Sequence, residues 1–412
     1  MAGTTLTTLD AILKEIYLPG IQKQFNEKKV LLAKIKKGAK ADVVGKKFVI
    51  PLATSRHQGI GARAEDGSLP TAGNTTYSNM TPSMRYNYAQ VRVTGQAIEA
   101  AKSDKGSFLR ALDSELKGAT ESLQRSVNRQ LCGDGSGALA KLTATANNKV
   151  QAFDDTRYME VGQTIDISQH DDGSGTVSGT VESIGSSTSV TFVSAVNTGS
   201  LTANEASAYI GGSRNLEMMG INGIVDDRDP TDVLYGGAGA ADKTGVASLQ
   251  GLAVATNTFW KATRKNNSGT NRDLSISLMQ DTLTDIDLNS GAGSDINMLF
   301  CRHGVFNKYG LLLVPDRRYA GNNLKFEGGF KTLEFNGIPM FFDRDCVKNT
   351  LFFLNTDVLK LYEMAPLRFA DREGHVLKHD SGKDAWTAFL YWYAELGVTK
   401  RFALGKLTDI TI

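Results

Sequence analysis

Apolar residues at helical spacing mark the clearest element of the chain. Between Asp104 and Cys132, Phe108, Leu112, Leu116, Ala119, Leu123, Val127 and Leu131 recur every three or four positions and form one stripe. Asp113 with Lys117 and Glu121 with Arg125 stand four apart on the opposite, wet side. At ~1.5 Å per residue this helix runs about 43 Å, and Gly118 inside it predicts close approach of another element. It ends at "CGDGSG", where Gly133 or Gly135 supplies a left-handed cap. Two shorter amphipathic helices, broken at Pro19-Gly20, are predicted over Thr4–Gly38 from Leu6, Leu9, Leu13 and Ile16, then Ile21, Phe25, Val30, Leu31 and Ile35. Leu274, Leu278, Leu283 and Ile286 predict a further helix, and Gly304–Val314 another.

Alternation with period two marks the strands. "MRYNYAQVRVT", Met84–Thr94, sets Tyr86, Tyr88, Gln90 and Arg92 against Asn87, Ala89, Val91 and Val93. Lys46–Thr54 reads as a strand, and the two are expected to pair as one extended hairpin arm around a tip at Ser55–Pro82. Val150–Gly212 is rich in Ser, Thr, Gly and Val, with turn signals at "DDGSG" and "GSS", and reads as a small β-domain inserted into the main fold. "INMLFC" is a strand. "TLEFNGIPMFF" is a hairpin about Asn336-Gly337, whose turn needs φ > 0 at both positions. "AWTAFLYWYAEL", Ala385–Leu396, suits a long strand buried on both faces.

Composition narrows the class. The chain has 412 residues, 41% hydrophobic and 22% charged, which fits several globular units and excludes wholesale disorder. Net charge is +2, so the molecule as a whole is no polycation built for nucleic acid. A local basic run (Lys28, Lys29, Lys34, Lys36, Lys37, Lys40, Lys46 and Lys47) reads first as a solvated helix face and second as a nucleic-acid contact. Cys132, Cys301 and Cys346 are sparse and lack any C-x-x-C, as expected for reduced thiols and folding in the cytosol. The start lacks the basic and apolar segments of a signal peptide, and no run is long enough to span a bilayer. No membrane partner is expected.

The chemical motifs do not survive their structural tests. Gly59, Gly61 and Ala64 form a G-x-G-x-x-A after a strand, but Gly67, Pro70 and Gly73 leave no room for the helix a dinucleotide site requires. "CGDGSGALAK" lies at the wrong end of its helix to hold phosphate. "HDSGKDA" puts Gly374 too far before Gly382 for a phosphate loop and has Asp384 in place of Ser or Thr. Asp285, Asp287 and Asn289 begin like a calcium loop, but Ser290 and Ile296 occupy the required Gly and Glu positions. Asp226, Asp227, Asp229 and Asp232 read as an exposed acidic turn. His375 and His379 lack a third metal ligand. No catalytic residue, cofactor or metal is expected.

What stands out is the arm. A two-stranded hairpin carrying nearly thirty tip residues without a core is marginal alone. A neighbouring copy of the same protein would cover it, with Arg56, Arg63, Glu65, Asp66 and Arg85 as intersubunit contacts of both signs.

The ordered set of an N-terminal arm, a long hairpin loop, a long helix ending "LQRSVNRQLCGDGSGAL", an α/β region and a closing "GVTKRFALGKLTDIT" resembles the major capsid proteins of tailed bacteriophages, with the Hong Kong 97-type fold. The resemblance covers nearly the whole chain except the β-insertion. It implies an α+β fold with an N-terminal arm (1–45), an E-loop hairpin (46–96), a P-domain with its spine helix (97–149), an inserted β-rich domain (150–212), mainly A-domain (213–345) and a return to the P-domain (346–412). It also implies hexamers and pentamers in an icosahedral shell around double-stranded DNA, held in the virion after assembly in the host cytoplasm. Portal and decoration proteins are implied partners, and Met1 directly before the arm predicts a separate scaffolding protein or none. Some members cross-link subunits through an E-loop lysine; Phe48–Ala101 contains none, so that route is not expected. Two other readings stand beside this one: the shell of an encapsulin nanocompartment, and a hydrolase or carbohydrate-binding protein with the β-insertion as its binding module.

Overall fold

The computed structural model describes residues 30–37, 48–96, 105–170, 173–228, 248–290, 295–313, 333–371 and 376–412, with the backbone alone at 36–37 and 105–114. Most of the two predicted N-terminal helices therefore lies outside the described residues. Their last turn, α1 (Val30–Lys34), is present and runs into the short strand β1 (Lys36–Lys37).

The centre of the molecule is strand β18 (Ala385–Val398), whose aromatic and β-branched residues favour extended backbone. Along one edge it pairs antiparallel with β4 (Arg85–Thr94), from Ala385 opposite Thr94 to Ala394 opposite Arg85. Along the other it pairs with β16 (Leu359–Phe369) and with the short β17 (Lys378–His379); β1 adds in parallel beyond β16. The long helix α2 (Lys105–Cys132) crosses one face of this sheet. Its Leu123, Val127 and Leu131 enter a core that includes Leu390, Trp392, Ala394 and Leu396 of β18.

Three expectations about these elements change. The strand at Met84–Thr94 does not pair with Lys46–Thr54. Instead β2 (Ile50–Ala53) pairs with β3 (Tyr77–Met80), four residues against four, while β4 belongs to the central sheet. A ten-residue ladder on β18 that also buries Val91 and Val93 offers far more than a lone ribbon could. From residue 115 on, where side chains are described, the helical stripe is sealed from Leu123, while Leu116 and Ala119 are half-buried. Among the described residues no element approaches Gly118, where an added Cβ would meet nothing within 4 Å. Of the two proposed caps, Gly135 takes the left-handed conformation, φ 84°.

A second sheet has the order β11 (Thr263–Lys265), β19 (Gly405–Leu407), β15 (Leu351–Leu354), β12 (Met298–Cys301), β14 (Ile338–Phe342) and β13 (Leu333–Phe335). Its central strands "MLFC" and "LFFL" are buried at every position because both faces are covered. Met298, Phe300, Phe352 and Leu354 face the core shared with α2. Leu299, Cys301, Leu351 and Phe353 face a second core with α4 (Ile276–Ser290) and α5 (His303–Leu312). The β13–β14 turn has Asn336 at φ 51° and Gly337 at φ 76°, as its sequence predicts. Residues 346–412 contribute to both sheets, β16, β17 and β18 to the first and β15 and β19 to the second.

Strands β5 (Ala138–Ala144), β6 (Asn147–Phe153), β7 (Thr164–Gln169), β8 (Val177–Ser186), β9 (Ser189–Asn197) and β10 (Ala206–Ile210) close into a barrel, in the order β10-β5-β6-β9-β8-β7. The β-rich unit thus begins at Ala138, ahead of the compositional change at Val150; "ALAKLTA" carries too little β-propensity to announce a strand. The barrel has its own core of Leu142, Phe153, Ile165, Ile167, Val181 and Phe192, among others. It is nonetheless bolted to the body. Asp155 Oδ2 meets Arg302 at 3.1 Å and Lys348 at 3.4 Å. Arg157 Nη1 donates to the Arg344 carbonyl at 2.7 Å, and the Tyr158 hydroxyl donates to that of Asp345 at 2.9 Å. Just after the barrel, Gly220 leads into the single-turn helix α3 (Ile221–Ile224).

Val127 is fully buried between the helix and β18. Val127→Asp is expected to cost at least ~3 kcal/mol, since an unpaired carboxylate would enter an apolar core. Thermal denaturation checks this; an unchanged midpoint would place that stripe in water.

Candidate functional site

The feature that the packing leaves unexplained is the segment between β2 and β3. Residues 54–76 have no regular structure and are almost entirely exposed, with Ile60 at 81% and Leu69 at 87%. No helix starts at Gly59–Ala64. The loop still has a defined shape. At its neck the Thr54 N–H donates to the Thr76 carbonyl at 2.9 Å, and the Thr76 N–H to Ser55 Oγ at 2.9 Å. Further out, Gly59 and Gly73 put their backbones together. A Cβ on Gly73 would lie 2.7 Å from the Gly59 nitrogen, and one on Gly59 2.9 Å from that of Gly73. At the tip, Arg63 Nε donates to the Ser68 carbonyl at 2.8 Å, Gly67 N–H to that of Ala64 at 2.9 Å, and Asp66 adopts φ 66°.

The root of the loop is anchored. Phe48, Met80 and Met84 are buried, the Phe48 ring lies tilted 5.3 Å from that of Tyr362, and the Thr81 N–H donates to the Gln250 carbonyl at 2.7 Å. Arg56, Arg63, Glu65 and Asp66 all lie on the exposed loop. Arg85 does not join them. It begins β4, where Nη1 donates to the Asn215 carbonyl at 3.0 Å and Nε stands 3.7 Å from Glu395 Oε2. Its place on the arm followed from the strand pairing that the structure replaces.

Sequence reading passed over a second surface. On the sheet face away from α2, Tyr86 meets Tyr393 edge-on at 4.9 Å, Tyr391 lies 5.0 Å from Tyr393, and the Tyr88 and Tyr393 hydroxyls are 3.0 Å apart. Arg368 Nε donates to the Tyr391 hydroxyl at 2.6 Å. Tyr86 and Tyr88 remain largely exposed. Exposed tyrosines backed by rigid neighbours are enriched at protein interfaces. The signal was available in the alternation of β4, whose solvent-facing positions begin with two tyrosines.

The chemical candidates resolve into structural roles. Asp285 and Asp287 sit within α4, and Asp285 pairs with Lys265 at 2.9 Å. His379 lies edge-on to Trp386 at 5.3 Å, while His375 is outside the described residues. The HDSGKDA segment forms the turn from β17 into β18, with Gly382 at φ 77°. Among the described residues no cluster of three potential metal ligands occurs. The expected exposed acidic turn is corrected: Asp226 is wholly buried, because Lys406 at 2.7 Å and Arg228 at 2.9 Å neutralise it. Burial opposes its ionisation, but these cations prevail and hold the carboxyl well below the usual range. Asp229 and Asp232 are outside the described residues. Arg125, expected to pair with Glu121, reaches Glu160 at 3.3 Å.

This fold is similar to that of capsid proteins of known structure. The capsid protein of cyanophage A-1(L) superposes with a TM-score of 0.57 over 99% of this chain and 100% of that one, at 13% sequence identity. The capsid of a native GTA particle gives a TM-score of 0.51 over 100% of both chains at 10% identity. No protein-family model and no curated protein sequence matches the chain. The resemblance read from the sequence therefore holds at the level of fold.

Glu395 ties the loop root to the core and generates a pH prediction. Its Oε1 accepts the Met219 N–H at 2.9 Å and the Leu396 N–H at 3.2 Å. Burial pushes its pKa up from 4.5 to about 8, against the pull of Met219 N–H and Arg85. The folded chain thus holds this proton more tightly than the unfolded one. Stability is expected to fall by up to ~1.4 kcal/mol per unit as pH rises from about 4.5 to about 8 on account of this group. Glu395→Gln should flatten that slope, measured by urea denaturation across the window; an unaltered slope would show that Glu395 ionises as readily folded as unfolded.

Proposed function

We propose that the chain is the major subunit of a closed icosahedral shell that encloses the double-stranded DNA of a tailed phage. The observation that carries this reading is the projecting loop at 54–76, preshaped but without a core, on a chain with a capsid fold. Ile60 and Leu69 gain ~1.5–3 kcal/mol each when covered, and a neighbouring copy repeats the contact around every ring. Because the neck and glycine pinch already order the loop, less entropy is lost on docking. Arg56, Arg63, Glu65 and Asp66 would add contacts of both signs at its rim.

In this reading residues 1–45 are the N-terminal arm and 46–96 the E-loop region. Helix α2 is the spine of the P-domain, residues 213–345 are mainly A-domain, and the barrel is an inserted module. Hexamers and pentamers form the lattice. Scaffolding, portal and decoration proteins are its partners, and DNA contacts the inner face without sequence specificity. The role is structural, without a catalytic centre.

Sedimentation and electron microscopy test the proposal. The purified chain is expected as capsomers, sheets or shells, with DNA or scaffold as the enclosed material; an enclosed enzyme would instead mark a nanocompartment, and a small soluble oligomer would overturn the shell reading. Deleting Gly59–Gly73 should preserve helical content but prevent closed particles, and normal particles from that deletion would refute the role given to the loop.

A further inference from the structure

Lys406 has no part in the assembly reading, yet its surroundings are unusual. It lies on β19 with 3% of its surface exposed. Its Nζ stands 2.7 Å from Asp226 Oδ2, 2.9 Å from the Asn222 carbonyl oxygen and 3.2 Å from Asn222 Oδ1. The segment that carries Asn222 and Asp226 is clamped in place by Arg401, also fully buried. Arg401 Nε donates to the Ile224 carbonyl at 2.8 Å, and Nη2 to that of Arg228 at 2.6 Å. The buried nucleophile and proton carrier thus meet a half-buried amide on a rigid frame. Such preorganisation supplies much of the barrier reduction in group transfer.

We propose that Lys406 and Asn222 become joined by an isopeptide bond within the chain, with Asp226 moving the proton. Asp226 Oδ2 takes one proton from the Lys406 ammonium, and the freed lone pair attacks Asn222 Cγ. The tetrahedral adduct collapses as the Cγ–Nδ2 bond breaks. Asp226 hands that proton to the departing nitrogen, which leaves as ammonia; Oδ2 then takes the second proton that the attacking nitrogen must shed, and the ammonia carries it off as ammonium. One C–N bond forms and one breaks, with no oxidant and no co-reactant. Burial weakens the hold of Lys406 on its proton, since a desolvated ammonium is costly, while Asp226 opposes that loss. Arg228 Nε and Arg264 Nε face Asp226 Oδ1 at 2.9 and 3.6 Å, and Arg228 Nη2 stands 3.4 Å from Oδ2. They keep Asp226 ionised, and so able to accept a proton, at the expense of a slower transfer. The product ties β19 to α3 inside one subunit and does not depend on the shell reading.

The test is the intact mass of the full chain, fresh and after prolonged incubation at neutral and mildly alkaline pH. The expected result is loss of one ammonia, about 17 Da, with a tryptic species in which the Lys406 peptide remains uncleaved at that lysine and attached to the Asn222 peptide. Lys406→Arg and Asn222→Ala should each retain the full mass. If either variant fails to fold, the linked peptide from the native sequence still decides the matter. An unchanged mass throughout would overturn the proposal. So would an ammonia loss that persists in Lys406→Arg, which would belong to succinimide formation at Asn222-Gly223 or Asn336-Gly337.

Discussion

Everything else in the structure is arranged around the burial of β18. Both its edges carry strands, and the face bearing Leu390, Trp392 and Leu396 is closed by α2. Backbone groups of a fourteen-residue strand in such a place must all find partners. That demand draws β4 away from its sequence neighbours and leaves β2 and β3 to pair only with each other. The projecting loop is therefore a by-product of sheet completion: once β4 is committed to the centre, the chain between Ala53 and Tyr77 has nothing among the described residues to rest on.

The second sheet makes the body stiff. Its central strands are shared walls, with alternate residues in two separate cores. A displacement of β12 or β15 would disturb both at once, because close-packed interiors do not deform continuously. Buried charge follows the same logic. Asp226 meets cations from β11 and β19, so the start of the central region is fastened to the end of the chain. Such pairs contribute less to net stability than to fixing which elements meet, since the desolvation of both ions offsets most of their attraction.

What could be read from the sequence was local. The long helix, the Asn336-Gly337 hairpin and the aromatic strand each carry their own signal within a few residues, through periodicity or turn chemistry. The exposed loop was legible as well, because a long tract without apolar period has nothing to bury. Pairing was not legible: β4 meets a strand some three hundred positions away, and its alternation suits any sheet with one covered face. The burial of Asp226 was hidden for the same reason, since Lys406 lies far along the chain. Arg85 stands on β4 and not on the loop as a consequence of that pairing, and the tyrosine face emerged only when β4 and β18 came side by side.

The fastening of the barrel through Asp155, Arg157 and Tyr158 has a practical corollary. A module hung on two flexible strings would swing, and anything grafted to it would blur in an averaged image. Here the connecting segment is gripped by side chains and carbonyls of the body, and the exposed turn between β8 and β9 is held to that same segment, the Thr156 N–H donating to the Ser187 carbonyl at 3.0 Å and its hydroxyl to that of Ser186 at 2.8 Å. A peptide spliced into that turn would be carried at a fixed angle and repeated with the symmetry of whatever array the chain forms, which makes the turn a natural mounting point for display.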